Sequence, residues 1–267
     1  MNSVTTTTTP SPASANLTAL FTIARREVAR IMRIWGQTLV PPAITMTLYF
    51  LIFGKLIGSQ VRDMGGVSYM SFIVPSLVMM SVIQNPYGNI SSSFFGAKFG
   101  RHIEELLVSP MPNWVILLGY VSGGLLRGLM VGAIVLVISM FCTDLSVPHP
   151  LITLLTVLLG ATIFSLAGFI NAVYARKFDD IAIVPTFILT PLTYLGGVFY
   201  STEMLPDWAR TLTHFNPVFY IVNAFRYGLL DKTDVPMWTS FGLMFAFVIG
   251  LGALALFLLK RGTGLRS

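Results

Sequence analysis

Cysteine occurs once in this chain, at Cys142, which excludes an intrachain disulfide and any metal cluster built from cysteine. Histidine occurs three times, at His102, His149 and His214, each on a different connection between apolar runs, so spacing offers no local metal cluster. Charge is scarce as well: Asp, Glu, Lys and Arg make up 10% of the 267 residues, against roughly 25% in an ordinary soluble domain. There is no Walker-type phosphate loop, no HExxH, no GxSxG and no Gly-rich dinucleotide fingerprint. No acidic residue lies deep in an apolar run, which argues against an intramembrane aspartyl dyad or a carboxylate proton relay. These absences speak against an enzyme and against a cofactor or metal held by this chain.

What is abundant is apolar surface. Hydrophobic residues make up 54% of the chain and the mean hydropathy is +0.76, values that belong to an integral membrane protein. The formal charge of +6 is spread between apolar runs rather than gathered in a stripe with aromatics, so nucleic acid is not an expected partner. Residues 1–19, with threonines at 5–9 followed by Pro, Ser and Ala, read as a low-complexity, disordered tail. They lack a basic start and an apolar core, so they do not read as a cleaved signal peptide.

A spanning helix needs about 20 mostly apolar residues. Six windows meet or approach this: Leu39–Ile57, Val67–Ser92, Trp114–Phe141, Leu151–Tyr174, Ile181–Tyr200 and Trp238–Leu259. The predicted fold is an all-α membrane protein with six transmembrane helices over residues 37–261, an amphipathic interfacial helix over 20–36, short re-entrant or interfacial helices before the last span, and a tail over 262–267. Six spans put both termini on one side. That side carries Arg25, Arg26, Arg30, Arg33, Lys98, Arg101, Arg176, Lys177, Lys260, Arg261 and Arg266, against Lys55, Arg62, Arg210, Arg226 and Lys232 on the other. By the positive-inside rule the termini are cytoplasmic.

Within the spans three features stand out. Arg127 lies about one and a half turns inside the third span, either snorkelling to the headgroups or making a functional contact. Gly124, Gly128 and Gly132 recur at four-residue spacing, a packing face for a helix of the same or of another subunit. The second span turns polar at Gln84, Asn85, Pro86, Tyr87, Gly88 and Asn89, as a pathway lining or as a kink near the interface. Upstream, Leu20, Ile23, Val28, Ile31 and Trp35 form an apolar stripe opposite Arg26, Arg30 and Arg33, the pattern of a helix lying on a membrane surface. After the fifth span, Leu205–Phe215 and Pro217–Leu230 read as short helices capping the outer end.

The segment Lys98–Pro112, KFGRHIEELLVSPMP, is a charged island between two apolar runs. At helical spacing Phe99, Ile103, Leu106 and Leu107 share one face, and Lys98, Arg101, His102, Glu104 and Glu105 the other. It reads as a docking helix for something outside the lipid. Glu104 and Glu105 can meet basic groups of a partner or be satisfied locally by Arg101.

Two segments resemble the membrane subunits of ABC-2 type exporters, over about Leu20 to Arg261. One is EELLVSPMP, Glu104–Pro112, similar to that family's cytoplasmic coupling helix and its proline turn. The other is Pro191–Arg226, in which Leu195, Gly197, Phe199, Leu205, Pro206, Trp208, Asn216, Pro217 and Arg226 match a late signature near the outer gate, with Gly196 where the family usually has serine. The resemblance implies a homodimeric permease of a bacterial inner membrane, bound to two copies of a separate ABC ATPase that supply the ATP and Mg chemistry. It assigns the coupling interface to Arg101, His102, Glu104, Glu105, Leu106 and Pro110, the outer-gate signature to Pro191, Leu195, Gly197, Phe199, Pro206, Asn216, Pro217 and Arg226, and leaves Gln84, Asn85, Tyr87 and Asn89 to the pathway. The cargo expected from it is a hydrophobic or amphipathic small molecule, a lipid or a glycan. A passive channel or scaffold without an ATPase is the alternative.

Overall fold

The computed structural model of the chain describes residues 11–58, 66–143, 145–200, 204–262 and 264. The described elements are helical: α1 (Pro12–Arg33), α2 (Trp35–Tyr49, continued by π-helical turns over Phe50–Ile57), α3 (Tyr69–Phe99), α4 (His102–Val108), α5 (Asn113–Met140), α6 (Pro150–Tyr174), α7 (Phe178–Val198), α8 (Asp207–His214), α9 (Pro217–Leu230) and α10 (Met237–Arg261). Five stretches are long and apolar enough to cross a membrane: Trp35–Gly54, α5, α6, α7 and α10.

Helix α1 starts at Pro12, eight residues before the expected Leu20. Ser11 caps it by accepting from the Ser14 amide at 3.3 Å, and Pro12 occupies the first turn, where its missing N–H costs nothing. Residues 12–19 are therefore helical; the rest of the expected tail, residues 1–10, lies outside the described residues, as do 265–267. The helix also faces differently from its expected stripe. Ile23, Glu27 and Ile31, at four-residue spacing, are its buried residues. Leu17, Phe21, Val28, Met32 and Trp35 are exposed. Arg30 turns inward to Glu27 and Asn89 rather than away from the bundle.

Helix α3 is the axis of the fold. Twenty of its 31 residues are buried, because it packs on α5, α6 and α9. Surrounded by protein, it can carry Ser76, Ser81, Asn89 and Ser91 at no cost in lipid exposure, and these lower its hydropathy together with Gln84, Asn85, Ser92, Ser93 and Lys98. Pro75 and Pro86 lie inside it without ending it. The small-residue face of α5 meets α3 and α6 within this chain: a Cβ at Gly128 would lie 2.7 Å from Pro86 Cγ and 3.1 Å from Ala161 Cβ, and one at Gly132 would lie 2.8 Å from Val82 Cγ2. Both are closer than real Cβ contacts allow, so the glycines set the helix separation. Below this contact Phe94, Phe169 and Tyr120 form an aromatic cluster, with Phe94–Phe169 and Phe94–Tyr120 centroids 4.2 and 5.2 Å apart.

Two prolines, Pro185 and Pro191, remove N–H donors from α7, and π-turns at Pro185–Leu189 and Tyr194–Val198 flank the second of them. One residue before its end the helix is kinked at Gly197, whose φ of +75° suits glycine.

Candidate functional site

A cleft of about 290 Å³ opens between α2, α3 and α5, lined by Gln37, Pro41, Thr45, Gln84, Asn85 and Arg127 among others. Arg127 does not run along its helix to the headgroups. Its Nη2 donates to Asn85 Oδ1 at 3.2 Å and reaches the Thr38 carbonyl at 3.5 Å. That carbonyl is free because Pro42, four residues on, has no N–H to give it. Protein acceptors thus replace the water that a snorkelling guanidinium would seek. Of the four residues assigned to a pathway, Gln84 and Asn85 line the cleft, while Tyr87 and Asn89 are buried inside the bundle.

Asn89 belongs instead to a polar junction under α1. The Glu27 carboxylate, 1% exposed, accepts from Ser93 Oγ at 2.7 and 2.8 Å and from Arg30 Nη2 at 2.9 Å, and the same Nη2 donates to Asn89 Oδ1 at 2.8 Å. Arg26 donates to the Tyr120 hydroxyl at 2.6 Å. Sequence reasoning missed Glu27 as a structural centre. The available signal was an acid midway between two isoleucines at i−4 and i+4 on an otherwise basic helix.

At the α3–α4 joint the charged island is not one helix. Lys98 and Phe99 close α3, and Arg101, with a left-handed φ of 60°, turns the chain into α4. Lys98 Nζ donates to the Val173 and Ala175 carbonyls at 2.7 and 2.6 Å, capping the end of α6, so it is spent within the chain. Ile103, 1% exposed, anchors α4 in the apolar cluster of Val115, Ile116 and Phe95. Arg101, His102, Glu104, Glu105 and Pro110 are exposed and Leu106 is half-buried. Among the described residues neither Glu104 nor Glu105 forms an ion pair with Arg101. Short, charged on its outer face and joined at both ends to long helices, α4 can pass a rigid displacement to α3 and α5 together.

At the opposite end the late signature divides. Arg226, 3% exposed, donates to the Gly197 carbonyl at 2.8 Å and to Ser76 Oγ at 3.1 Å, lies 3.7 Å from the Asp234 carboxylate, and stacks 4.0 Å from the Phe72 ring centre. This buried arginine, grouped with outer-loop basic residues by its position in the sequence, ties α3, α7 and α9 to the loop before α10. Asn216 caps α9 by accepting from Val218 N at 2.9 Å and donates to the Leu192 carbonyl at 2.6 Å. A Cβ at Gly196 would lie 2.7 Å from Val218 Cγ1, so the glycine in place of serine permits this contact. Phe199 is half-buried against Phe53, 4.9 Å away, and Pro217 is half-buried in the first turn of α9. Pro191, Leu195 and Pro206 face outward, the last two lining an apolar cavity of about 540 Å³ with Trp208 and Leu212.

The sequence model of the ABC-2 type transporter family matches residues 18–230, which takes in the polar junction, the cleft, α4 and the Arg226 hub. The chain is 57% identical over 249 residues to the inner membrane transport permease YadH of Escherichia coli (strain K12), covering 93% of this chain and 97% of that protein. It is 22% identical over 215 residues to nodulation protein J of Rhizobium leguminosarum bv. trifolii, covering 80% and 82%, and 19% identical over the same length to nodulation protein J of Neorhizobium galegae. With most of its helices inside the matched region and a relative at this identity along nearly its whole length, the chain belongs to the ABC-2 type transporter family, as one of its membrane permeases.

Proposed function

We propose that this permease is the membrane subunit of an ATP-driven exporter of the bacterial inner membrane, working as a homodimer coupled through α4 to two separate ATPase subunits. The observation that carries the reading is α4 itself: an exposed acidic pair, without an ion pair among the described residues, on a short helix anchored by Ile103 and joined by short turns to two of the longest helices. In this reading α3 is a sixth span. Its 31 residues extend about 46 Å at 1.5 Å per residue, more than the hydrocarbon thickness. The short helices α8 and α9 then cap the outer end, the termini are cytoplasmic, and the cleft at Gln84, Asn85 and Arg127 belongs to the path of a lipid, glycan or amphipathic cargo.

Co-expression with an ATPase carrying a phosphate loop is expected to give a complex with vanadate-sensitive ATP hydrolysis. Failure to bind any such subunit, together with passive solute conduction, would sink the reading. Glu104→Ala with Glu105→Ala is expected to lower cargo-stimulated ATP hydrolysis about tenfold or more, at roughly 1 kcal/mol for each lost charged contact, with membrane insertion unchanged. Wild-type turnover in that variant would remove α4 from the interface. Orientation has a separate test in Cys142, which is exposed just beyond α5 at the end remote from α4. A membrane-impermeant maleimide is expected to label it from outside intact cells whose outer membrane is permeabilised, and labelling confined to inverted vesicles would reverse the topology.

A further inference from the structure

A second recess, rimmed by basic side chains and distinct from the cleft, lies between the basic flank of α1 and the α3–α4 joint. It is open, has a volume of about 590 Å³ and is lined by Arg26, Arg30, Arg33, Ser93, Gly96 and His102 among others. Three guanidiniums face one carboxylate, Glu27, leaving an excess of two positive charges before His102 is counted. Arg26 and Arg30 use part of their donor sets on Tyr120, Glu27 and Asn89, but each guanidinium has five N–H groups, and their side chains are 49% and 30% exposed. Arg33 and His102 make no hydrogen bond or ion pair among the described residues. A Cβ at Gly96 would meet nothing within 4 Å, so the recess is open on the α3 side.

We infer that this recess binds the phosphate-bearing headgroup of an anionic membrane lipid, held between α1 and the first turn of α4. The inference rests on the interfacial reading of α1 but needs neither an ATPase nor a cargo. Depth decides in favour of a lipid: the other flank of α1 exposes Leu17, Phe21, Val28, Met32 and Trp35, which seats the helix at the level of the headgroups. A headgroup there would touch α1 through Arg33 and α4 through His102, so lipid composition would bear directly on the helix proposed to receive the ATPase.

The test is native mass spectrometry of the full-length permease from micelles containing equimolar phosphatidylglycerol and phosphatidylcholine. Phosphatidylglycerol is expected to be retained several-fold over phosphatidylcholine. Arg33→Gln should reduce that preference about fivefold, the equivalent of about 1 kcal/mol per basic residue at an anionic surface. Gly96→Leu, which projects a side chain into the recess and leaves every charge in place, should weaken it several-fold. Inorganic phosphate added alone should not displace the lipid. Equal retention of the two lipids, indifference to both variants, or displacement by phosphate would each overturn the assignment, the last by making the recess a site for a free anion. Selective retention by a protein that couples to no ATPase would leave this site standing while the exporter reading fails.

Discussion

Gly128→Leu is expected to insert into the membrane yet fail to close its central core. The glycine lies where α5 crosses α3 and α6, and even a Cβ there would stand 2.7 Å from the Pro86 ring. A flexible neighbour could swing away, but a proline ring has no such freedom, and Pro86 is itself buried in the middle of α3. The remaining three carbons of leucine would have to force α5 away from both partners. Overpacking of a well-filled core costs about 1–3 kcal/mol where side chains can adjust, and the upper end or more is expected at this site. The check is the fraction recovered as a monodisperse species in mild detergent, with its thermal unfolding midpoint. Gly128→Ala should fall between wild type and the leucine variant, and a wild-type midpoint for Gly128→Leu would show that the helices are not in contact there.

Arg226→Met is expected to be nearly as disruptive, for an electrostatic reason. The guanidinium neutralises Asp234, satisfies the Gly197 carbonyl and Ser76, and lies on the Phe72 ring. Methionine keeps much of the volume and takes this donor from the Gly197 carbonyl and Ser76. Each hydrogen bond lost from a charged donor costs about 1.5–3 kcal/mol, and the ion pair with Asp234, which is 26% exposed, adds less. Arg226→Lys keeps the charge but not the fork that sets Nη2 on the Gly197 carbonyl and Ser76 and Nη1 toward Asp234, and should recover only part of the loss. The double variant Arg226→Met with Asp234→Asn separates the contributions: restoration of a good part of the midpoint would assign that part of the loss to the ion pair between Arg226 and Asp234. If Arg226→Met alone unfolds at the wild-type temperature, the hub is not what joins α3, α7 and α9.

The two effects differ in how visible they were in the primary sequence. The four-residue glycine spacing of α5 announces a packing face, and so do the apolar runs of α5, α6 and α10, because lipid exposure demands them wherever protein does not intervene. The partner of that face was not visible, since small residues permit close approach by any helix. Arg226 was recognised only as part of a family signature and, by position, was grouped with outer basic residues. Its burial depends on Ser76, Gly197 and Asp234, which lie 150, 29 and 8 residues away and share no periodicity with it.

Similar reasoning separates the parts of the candidate site. The amino-acid sequence by itself determined that this is a helical membrane protein with a charged helix between two long ones and a polar interruption in the second apolar run. Those features follow from composition and helical period, which are local. Only the tertiary structure decided that Gln84 and Asn85 line a cleft while Tyr87 and Asn89 are buried, that Arg127 turns to a carbonyl released by Pro42, that Lys98 caps α6, and that Glu27 holds α1 to α3. The outcomes at Arg127, Lys98 and Glu27 depend on which partner another element brings within hydrogen-bond reach. A polar side chain withdrawn from water settles on whichever partner the packing supplies, and that choice is made between helices, after each one has formed.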